Sequence, residues 1–293
     1  MDFKQIEAFV NVVRYKSFSK AADATFFTQP TISAHISNLE AELNAKLLDR
    51  KGRTVEMTPE GAKFYKFAVE MINSRSAAIE ALGASSSDVS GILEIQTSSI
   101  PGVTFLPKLL ADFRKDHPMI QYYVSMSDTQ TVIDNIIDRR GEIGFIGDKI
   151  NNNAIESRKI ASDKVVMIAP KSMGLGTSIT MDEAVKLPFI WRETGSATRK
   201  TFEEAAVALG YDKTDFEIAA LFNDLDSIIR SVEAGLGVAV ISERVAKSLG
   251  DRITIVNING YSEERDFYIV KLKNSSLSPA AEAFWTCSIG DGF

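Results

Sequence analysis

The hydrophobic positions between Thr28 and Leu43 recur with the period of an α-helix. They form one narrow stripe, at Ile32, Ile36, Leu39 and Leu43, because about 100° per residue brings these positions onto one face. The opposite face is short and polar, and its residues are Pro30, Thr31, Ser33, Ala34 and Ser37. Such small side chains allow the close approach needed to enter a groove about 12 Å wide. Thr28 is the predicted N-cap, and Pro30 fits the first turn.

Two more helices and a hairpin are predicted around this helix. The first helix has one apolar face, formed by Phe3, Ile6, Phe9, Val10 and Val13. Ser17 or Ser19 can cap the second, whose Ala21 and Ala22 permit close helix crossing. In KLLDRKGRTVEMTPEG, β-favouring residues flank a Lys51-Gly52 turn. This order predicts a winged helix-turn-helix, and an αα-hairpin with an unrelated role is the alternative.

A long helical pattern runs from Pro59 to about Leu82. Its apolar seam contains Phe64, Phe67, Ala68, Met71, Ile72, Ala78, Ile79 and Leu82. An apolar seam this long would be exposed to solvent unless another element packed against it. The same helix of a second subunit could pack there, which predicts a homodimer. The alternative is that the helix packs back onto its own domain. The small-residue segment GASSSDVSG then predicts a hinge.

The remaining residues, 92 to 293, alternate between strand and helix patterns. The strand patterns are ILEIQTS, IQYYVSM, EIGFIG, KVVMIA, PFIWRE, FEIAALF, VAVIS, ITIVNI and DFYIVKL, and helical patterns that include Val103 to Lys115 lie between them. This alternation predicts mostly parallel sheets covered on both faces. The number of strands and the glycine-rich break at 173–177 indicate two subdomains. The chain is expected to cross near 161–164 and to return near 264–267.

Composition and charge exclude several classes of protein. The chain of 293 residues is 45% hydrophobic and 25% charged, which is typical of a soluble globular protein. The N-terminus lacks the pattern of a signal peptide, so a cytoplasmic location is expected, and no stretch is apolar enough to span a membrane. Basic and acidic residues balance within residues 1–60, but Lys46, Arg50, Lys51 and Arg53 cluster after the recognition helix. There they could contact phosphates.

Sequence motifs for catalysis or cofactor binding are missing. Gly235-Leu-Gly237 is not a dinucleotide fingerprint, since Val240 replaces the third glycine and a helix precedes it. A phosphate loop, a Ser-His-Asp order and a zinc motif are also absent, and His35 and His117 are the two histidines. Cys287, the single cysteine, excludes an internal disulfide. We therefore expect neither enzymatic activity nor a cofactor or metal.

These features together resemble one family. The sequence AFVNVVRYKSFSKAADATFFTQPTISAHISNLEAEL, followed by LLDRKGRTVEMTPEG, closely resembles the N-terminal domain of LysR-type transcriptional regulators. The resemblance extends over the whole chain. It implies a regulator that binds double-stranded promoter DNA, commonly as a tetramer built as a dimer of dimers. It also implies that a small-molecule co-inducer binds between two α/β subdomains similar to those of periplasmic binding proteins.

The resemblance divides the chain into three parts. Residues 1–58 are the expected winged helix-turn-helix domain, 59–88 the linker helix and hinge, and 89–293 the effector-binding domain. Within the last part, subdomain I is expected at about 89–162 and 267–293, and subdomain II at about 163–266.

DNA-contacting residues follow from the same resemblance. They are Ser19, Thr28, Gln29, Pro30, Thr31, Ser33, His35 and Ser37, with Arg50, Lys51 and Arg53 in the wing. Ala34 and His35 replace an Arg-Gln pair common in the family, so base readout should depend on small polar contacts and DNA shape. His35 could contact a phosphate or the groove edge, or it could be a plain surface histidine. A dimeric scaffold without sequence-specific DNA contacts is a further alternative.

Three hydroxyl-rich turns follow predicted strands and are expected to meet in one cleft. The predicted effector contacts are Ser98, Ser99, Ile100, Asp128, Thr129, Gly147, Ser196, Thr198 and Arg199. Hydroxyls, free amides and one arginine suit a small anion, although Thr129, Ser196 and Asp128 could serve only as helix caps. Asp224 and Asp226 begin a fourth helix in the same arc and would repel an anion if they faced inward.

RETGSATR is similar to the RExGSGTR stretch of LysR members that respond to sulfur oxyanions and related ligands. Ala197 replaces a glycine of that stretch. Two alternatives to an oxyanion-responsive regulator are a regulator that responds to an aromatic or other organic carboxylate, and a non-regulatory α/β solute-binding protein with a helical appendage.

Overall fold

A computed structural model describes residues 1–25, 27–51, 54–82, 89–150 and 152–287, without the side chains of Arg50, Lys51, Glu80 and Ala81. The chain forms two compact units. The first contains Met1–Val89 and Asn274–Ala283, and the second contains Ser90–Lys273 and the residues from Phe284 onward.

The first unit is a three-helix domain with a wing, followed by a long helix. Its elements are α1 (Phe3–Tyr15), α2 (Phe18–Thr25), α3 (Gln29–Leu43), β1 (Leu48–Lys51), β2 (Thr54–Met57) and α4 (Pro59–Ala81). Phe9, Ile32 and Leu39 are fully buried in its core. Phe3 is exposed, in contrast to its predicted place on the buried face of α1, and its ring lies 5.1 Å from the Arg75 guanidinium.

Side chains fix the start of α3 and the position of the wing. Thr28 accepts a hydrogen bond from the Thr31 amide at 3.3 Å, which confirms it as the N-cap. Ser17, rather than Ser19, caps α2 by accepting a hydrogen bond from the Lys20 amide. Glu40 on α3 accepts hydrogen bonds from the amides of Leu47 and Leu48 at the start of the wing, so the wing is attached directly to α3.

The long helix α4 has a buried half and an exposed half. Tyr65, Ala68 and Val69 are buried, and Phe64, Met71 and Ile72 pack against the core of the first unit. The first half therefore packs back onto its own domain, as one alternative expected. Farther along, Ile79 and Leu82 are exposed, as is Phe67 on the outer side. The predicted hinge lies mostly in residues 83–88, outside the described residues.

The second unit alternates helices with strands. Its elements are β3 (Gly91–Ser98), α5 (Ser99–Thr104), α6 (Leu106–Asp116), β4 (Ile120–Ser127), α7 (Thr129–Ile137), β5 (Ile143–Ile146), β6 (Ile155–Ala169), β7 (Ser178–Ile179), α8 (Met181–Ala184), β8 (Pro188–Arg192), α9 (Ala197–Ala208), β9 (Glu217–Phe222), α10 (Leu225–Glu233), β10 (Ala239–Ser242), α11 (Glu243–Ser248), β11 (Thr254–Ile258) and β12 (Glu264–Leu272). A last helix, α12, spans Pro279–Cys287.

The sheet is mixed, whereas the sequence pattern predicted mostly parallel strands. β3 pairs in parallel with β4 and β5, and β8 pairs in parallel with β9. β12 pairs antiparallel with β5 and β6, and β10 and β11 pair antiparallel with β6. The reason is that β6 is 15 residues long and passes from the β12 partner to the β10 and β11 partners. Its polar first half, ESRKIASD, concealed this length in the sequence.

The paired strands β6 and β12 connect two subdomains, in line with the expected fold. One subdomain contains β3, β4 and β5, and the other contains β7 to β11. The helix predicted from Val103 to Lys115 is instead two helices that meet at Phe105, where Pro107 occupies the first turn of α6. Within the described ranges, helices long and apolar enough to cross a membrane are absent.

Candidate functional site

The outward face of α3 is formed by small side chains. Pro30, Ser33, Ala34 and Ser37 lie within about 100° of the helical circumference, opposite the buried stripe, and are exposed or half-buried. α3 contains neither lysine nor arginine. The face is therefore uncharged and can approach a partner closely.

The other residues predicted on this surface have contacts of their own. Ser19 donates a hydrogen bond to Gln29 at 2.9 Å, and the hydroxyls of Thr28 and Thr31 are 2.8 Å apart. His35 lies on a different side of α3, with its ring 5.7 Å from the Phe27 ring in an edge-on contact. The His35 ring is thus held against the protein's own aromatic residue.

The wing places a basic segment beside α3. Arg50 and Lys51 belong to strand β1, opposite Val55 and Thr54, and Arg53 lies outside the described residues. Lys46 forms an ion pair with Asp49 at 2.6 Å, and this hydrogen bond raises the pKa of the lysine amine. Lys46 therefore contributes less net positive charge than the sequence suggested.

In the second unit, the carboxyl ends of β3, β4, β5 and β8 and the strand β12 surround a small, partly open cavity that is lined mostly by buried residues. Its lining contains eight of the nine predicted effector contacts: Ser98, Ser99, Ile100, Asp128, Thr129, Gly147, Ser196 and Thr198. Arg192, Ala197, Arg265 and Phe267 complete it. The cavity volume is about 10 Å³, which is enough for one water-sized group.

Arg199, the ninth predicted contact, lies outside this cavity. Its guanidinium donates to Glu203 at 2.9 Å and to the Arg192 carbonyl at 2.9 Å, and it stacks 4.8 Å from the Trp191 ring. The prediction placed Arg199 in the cleft because it belongs to the turn after β8. Within α9 it projects away, since Ser196 and Thr198 occupy the cavity side.

Two of the three residues that the sequence suggested as helix caps are caps, and all three line the cavity. Asp128 accepts hydrogen bonds from the Thr131 amide at 3.0 Å and the Thr131 hydroxyl at 2.5 Å. Burial opposes ionisation of Asp128, but these hydrogen bonds outweigh it, and the pKa of the carboxyl is lowered. Ser196 caps α9. Thr129 is not a cap, because Asp128 is the N-cap of α7.

Arg265 is one of the lining side chains that sequence reasoning missed. It lies on β12, only 7% exposed, with its guanidinium 4.9 Å from the Phe267 ring. Nη1 donates to the Thr198 hydroxyl at 2.6 Å. Nε and Nη2 are buried, and neither has a hydrogen-bond partner among the described residues. Burial lowers the pKa of Arg265 to about 10, so the group is still charged at neutral pH.

A second buried arginine at the cavity is fully paired. Arg192 contacts Glu193 through Nε at 2.8 Å and Nη2 at 2.7 Å, and Nη2 also donates to the Ser99 hydroxyl at 3.1 Å. The carboxylate of Glu193 thus neutralises Arg192. Arg265 has no equivalent carboxylate partner in the described part of the chain.

Close contacts join the two sides of the cavity. The Lys200 amine pairs with Asp148 at 2.6 Å, and this hydrogen bond raises the pKa of the lysine. Gly195 approaches Asp128 so closely that a Cβ at Gly195 would lie 2.3 Å from the carboxylate oxygen. The turn after β8 therefore depends on a glycine at this position.

A larger open groove of about 1190 Å³ borders the cavity through Ser99 and Asp128, and Glu193 lines the groove. Its other walls include Val103, Met126, Asp224, Asp226, Ile229, Arg244 and Leu249. The groove is thus apolar in part, with more acidic than basic side chains. Potential metal ligands do not cluster in groups of three or more among the described residues.

A winged helix-turn-helix followed by a two-subdomain domain with a small cavity defines the class of ligand-responsive DNA-binding regulators. Comparison with known proteins gives the family. Residues 3–62 match the bacterial regulatory helix-turn-helix proteins of the lysR family, and residues 86–289 match the LysR substrate binding domain. The chain therefore belongs to the LysR family of DNA-binding transcriptional regulators.

Relatives and solved structures agree with this assignment. An uncharacterized HTH-type transcriptional regulator of Methanocaldococcus jannaschii is 30% identical over 95% of each chain. The HTH-type transcriptional regulator CysL of Bacillus subtilis is 29% identical, over 90% of this chain and 89% of the relative. Both are named as regulators rather than enzymes.

Two solved structures show the same fold. Full-length OxyR of Pseudomonas aeruginosa has a TM-score of 0.77 at 18% identity, over 99% of this chain and 97% of that one. The regulator CbnR in complex with its target DNA has a TM-score of 0.65 at 19% identity, over 99% of both chains.

Replacing Gly195 with alanine tests the close contact at the cavity. The added Cβ would collide with Asp128, so Gly195→Ala should lower the free energy of unfolding of the second unit by about 1–3 kcal/mol. Gly176→Ala is the matched control, because the nearest atom to its added Cβ is 3.9 Å away. Chemical denaturation of both variants measures the difference, and equal stabilities would contradict the described contact.

Proposed function

We propose that this LysR-type regulator responds to a small anion bound in the cavity at Arg265, and that the anion alters its binding to promoter DNA. The observation that carries the proposal is the buried Arg265 guanidinium, whose Nε and Nη2 are free of protein partners in the described residues. A buried, unpaired charge is costly to the folded state. A bound anion would supply the missing hydrogen bonds to Nε and Nη2.

The surroundings of Arg265 favour an anion as well. The hydroxyls of Ser98, Thr129 and Thr198 line the cavity, and the first residues of α7 and α9 face it. Helix N-termini present backbone N–H groups and a partial positive charge, which stabilise anions. The similarity of RETGSATR to oxyanion-responsive members makes sulfur and selenium oxyanions candidates beside other small anions.

An organic carboxylate is the second candidate, because the bordering groove has the volume that such a ligand needs. The charges of the groove count against it. Glu193, Asp224 and Asp226 line its walls, and only Arg244 among the lining residues is basic. A carboxylate-bearing ligand in the groove would meet like charges there.

For DNA binding, we propose that Pro30, Ser33, Ala34 and Ser37 face the major groove while Arg50, Lys51 and Arg53 contact phosphates. The absence of lysine and arginine from α3 removes the side chain that most often reads guanine. Base recognition then depends on small polar and methyl contacts, and affinity depends mainly on the wing. Ser19, Thr28, Gln29 and Thr31 would support this surface through their mutual hydrogen bonds.

We further propose that α4 pairs with its copy in a homodimer, from which a tetramer could be built. Phe67, Ile79 and Leu82 lie within about 120° of the helical circumference, and all three are exposed in the single chain. A second copy of α4 would remove this apolar surface from water.

The first prediction concerns Arg265. Arg265→Met removes the guanidinium that is proposed to bind the anion, and the thermal unfolding of the variant is compared with that of the wild type in anion-free buffer. The variant should lose the stabilisation that small anions give to the wild type. Thermal denaturation with and without anions measures this effect. Anion stabilisation that persists unchanged in Arg265→Met would refute the proposed site.

The second prediction separates the two kinds of DNA contact. Arg53→Ala should weaken binding to all sequences and reduce the slope of log K against log salt by about 1. Ser33→Ala should weaken operator binding by about 1 kcal/mol without changing that slope. Gel-shift titrations at several salt concentrations measure both, with Lys213→Ala, an exposed lysine of the second unit, as the control. An unchanged affinity in Arg53→Ala would contradict the wing contact.

The third prediction concerns the α4 seam. The double substitution Ile79→Glu with Leu82→Glu should convert dimers into monomers, because it introduces charges into the proposed apolar interface. Ala77→Glu is the control, since Ala77 is exposed on the other side of the helix. Sedimentation velocity distinguishes the species, and a dimer that survives the double substitution would exclude this interface.

A further inference from the structure

The charged side chains around the cavity restrict the charge of its ligand. Arg192 and Arg265 are positive, while Asp128, Asp163 and Glu193 are negative. Asp163 is the cross-strand partner of Arg265 in the pairing of β6 with β12, so their side chains project to the same side of the sheet. The Lys200–Asp148 ion pair adds no net charge.

Each of the three carboxylates accepts hydrogen bonds from neighbouring residues. Asp128 accepts from Thr131, and Glu193 accepts from Arg192. Asp163, only 6% exposed, accepts from the Ser242 hydroxyl and from the amides of Lys164 and Arg244. Asp163 therefore acts on Arg265 through its charge, while its hydrogen bonds go elsewhere.

Because Glu193 pairs with Arg192, the unpaired charges around the cavity are the positive Arg265 and the negative Asp128 and Asp163. A monoanion would neutralise Arg265. A dianion would bring a second negative charge next to Asp128, Asp163 and Glu193, in a buried site where charges are poorly screened. This arrangement penalises each additional negative charge on the ligand.

The geometry of Arg265 adds a restriction on shape. A guanidinium offers pairs of parallel N–H groups that bind two oxygens of a planar anion side by side. In Arg265, Nη1 is bound to Thr198, and the free edge consists of Nε and Nη2. The small cavity volume leaves space for an anion of only a few atoms after slight adjustment of the walls.

We propose that the cavity selects a small planar monoanion with two coplanar oxygens, of the nitrate, nitrite, bicarbonate or formate type, over tetrahedral dianions such as sulfate and selenate. This inference rests on the proposed function, because it specifies the ligand class of the same site.

The test measures the binding of nitrate, formate, sulfate and selenate to the full chain. Isothermal titration calorimetry is performed at constant ionic strength. The background salt contains a bulky organic anion that is too large to enter the cavity. The expected result is that nitrate or formate binds at least about tenfold more tightly than sulfate and selenate, a difference of about 1.4 kcal/mol. Sulfate or selenate binding as tightly as the planar anions would overturn the inference while the anion site itself stands.

Two variants test separately how the charge and the shape of the site affect its selectivity among anions. Arg265→Lys retains the positive charge but lacks the paired N–H edge, so it should lose most of the preference for planar anions. Asp163→Asn removes one carboxylate charge and should shift the ratio of affinities toward sulfate. Arg199→Lys is the control with unchanged binding, because Arg199 lies outside the cavity. An unaltered ratio in both Arg265→Lys and Asp163→Asn would contradict the proposal.

The proposed function can fail separately from this inference. If none of the four anions bound to the wild type, the anion-responsive function would be refuted together with the inference. If anions of both types bound with equal affinity and Arg265→Met abolished their binding, the function would stand and the selectivity would be wrong.

Discussion

A buried guanidinium with two N–H groups that lack hydrogen-bond partners among the described residues is the constraint on which the effector domain depends. Such a group destabilises a folded protein unless it gains a partner, and the second unit keeps Arg265 in this condition beside a small polar cavity. Arg192, which lines the same cavity, is paired with Glu193. The contrast between the two arginines is the reason for proposing an external partner for Arg265.

The sheet explains how this arrangement is maintained. β6 and β12 run antiparallel through both subdomains, so Arg265 and Asp163 are fixed on the rigid part of the fold. The turns that carry Ser98, Asp128 and Ser196 reach the cavity from either side of this central pair. A ligand at Arg265 would therefore contact residues of both subdomains at once, and its binding energy could change their relative position. Such a change is the physical requirement for an effector that alters DNA binding.

Much of the architecture could be predicted from local patterns. The stripe of Ile32, Ile36 and Leu39 indicated the orientation of the recognition helix. The strand-turn-helix order placed Ser98, Asp128 and Ser196 after strand ends that meet at the cavity. These predictions succeeded because helical periodicity and strand ends are properties of neighbouring residues. Eight of nine predicted contacts line the cavity, although their role in effector binding stays a prediction.

The failures have a common physical cause. Arg265 sits in the run Glu263, Glu264, Arg265, Asp266, which in a sequence is typical of an exposed turn. Only its pairing with Asp163, about 100 residues earlier in the chain, makes it a buried group. The prediction for Arg199 failed in the opposite sense. Its place in RETGSATR suggested a contact with the cavity, whereas helix α9 directs its side chain toward Glu203. A charged residue's environment depends on long-range packing that local patterns do not contain.

The most direct test of this account is anomalous X-ray diffraction from crystals of the protein soaked in bromide, a compact monoanion with a strong anomalous signal. The account predicts an anomalous peak within hydrogen-bonding distance of Arg265 Nε and Nη2. Bromide peaks confined to the protein surface, with none at Arg265 in a structure that retains the same unpaired guanidinium, would contradict it.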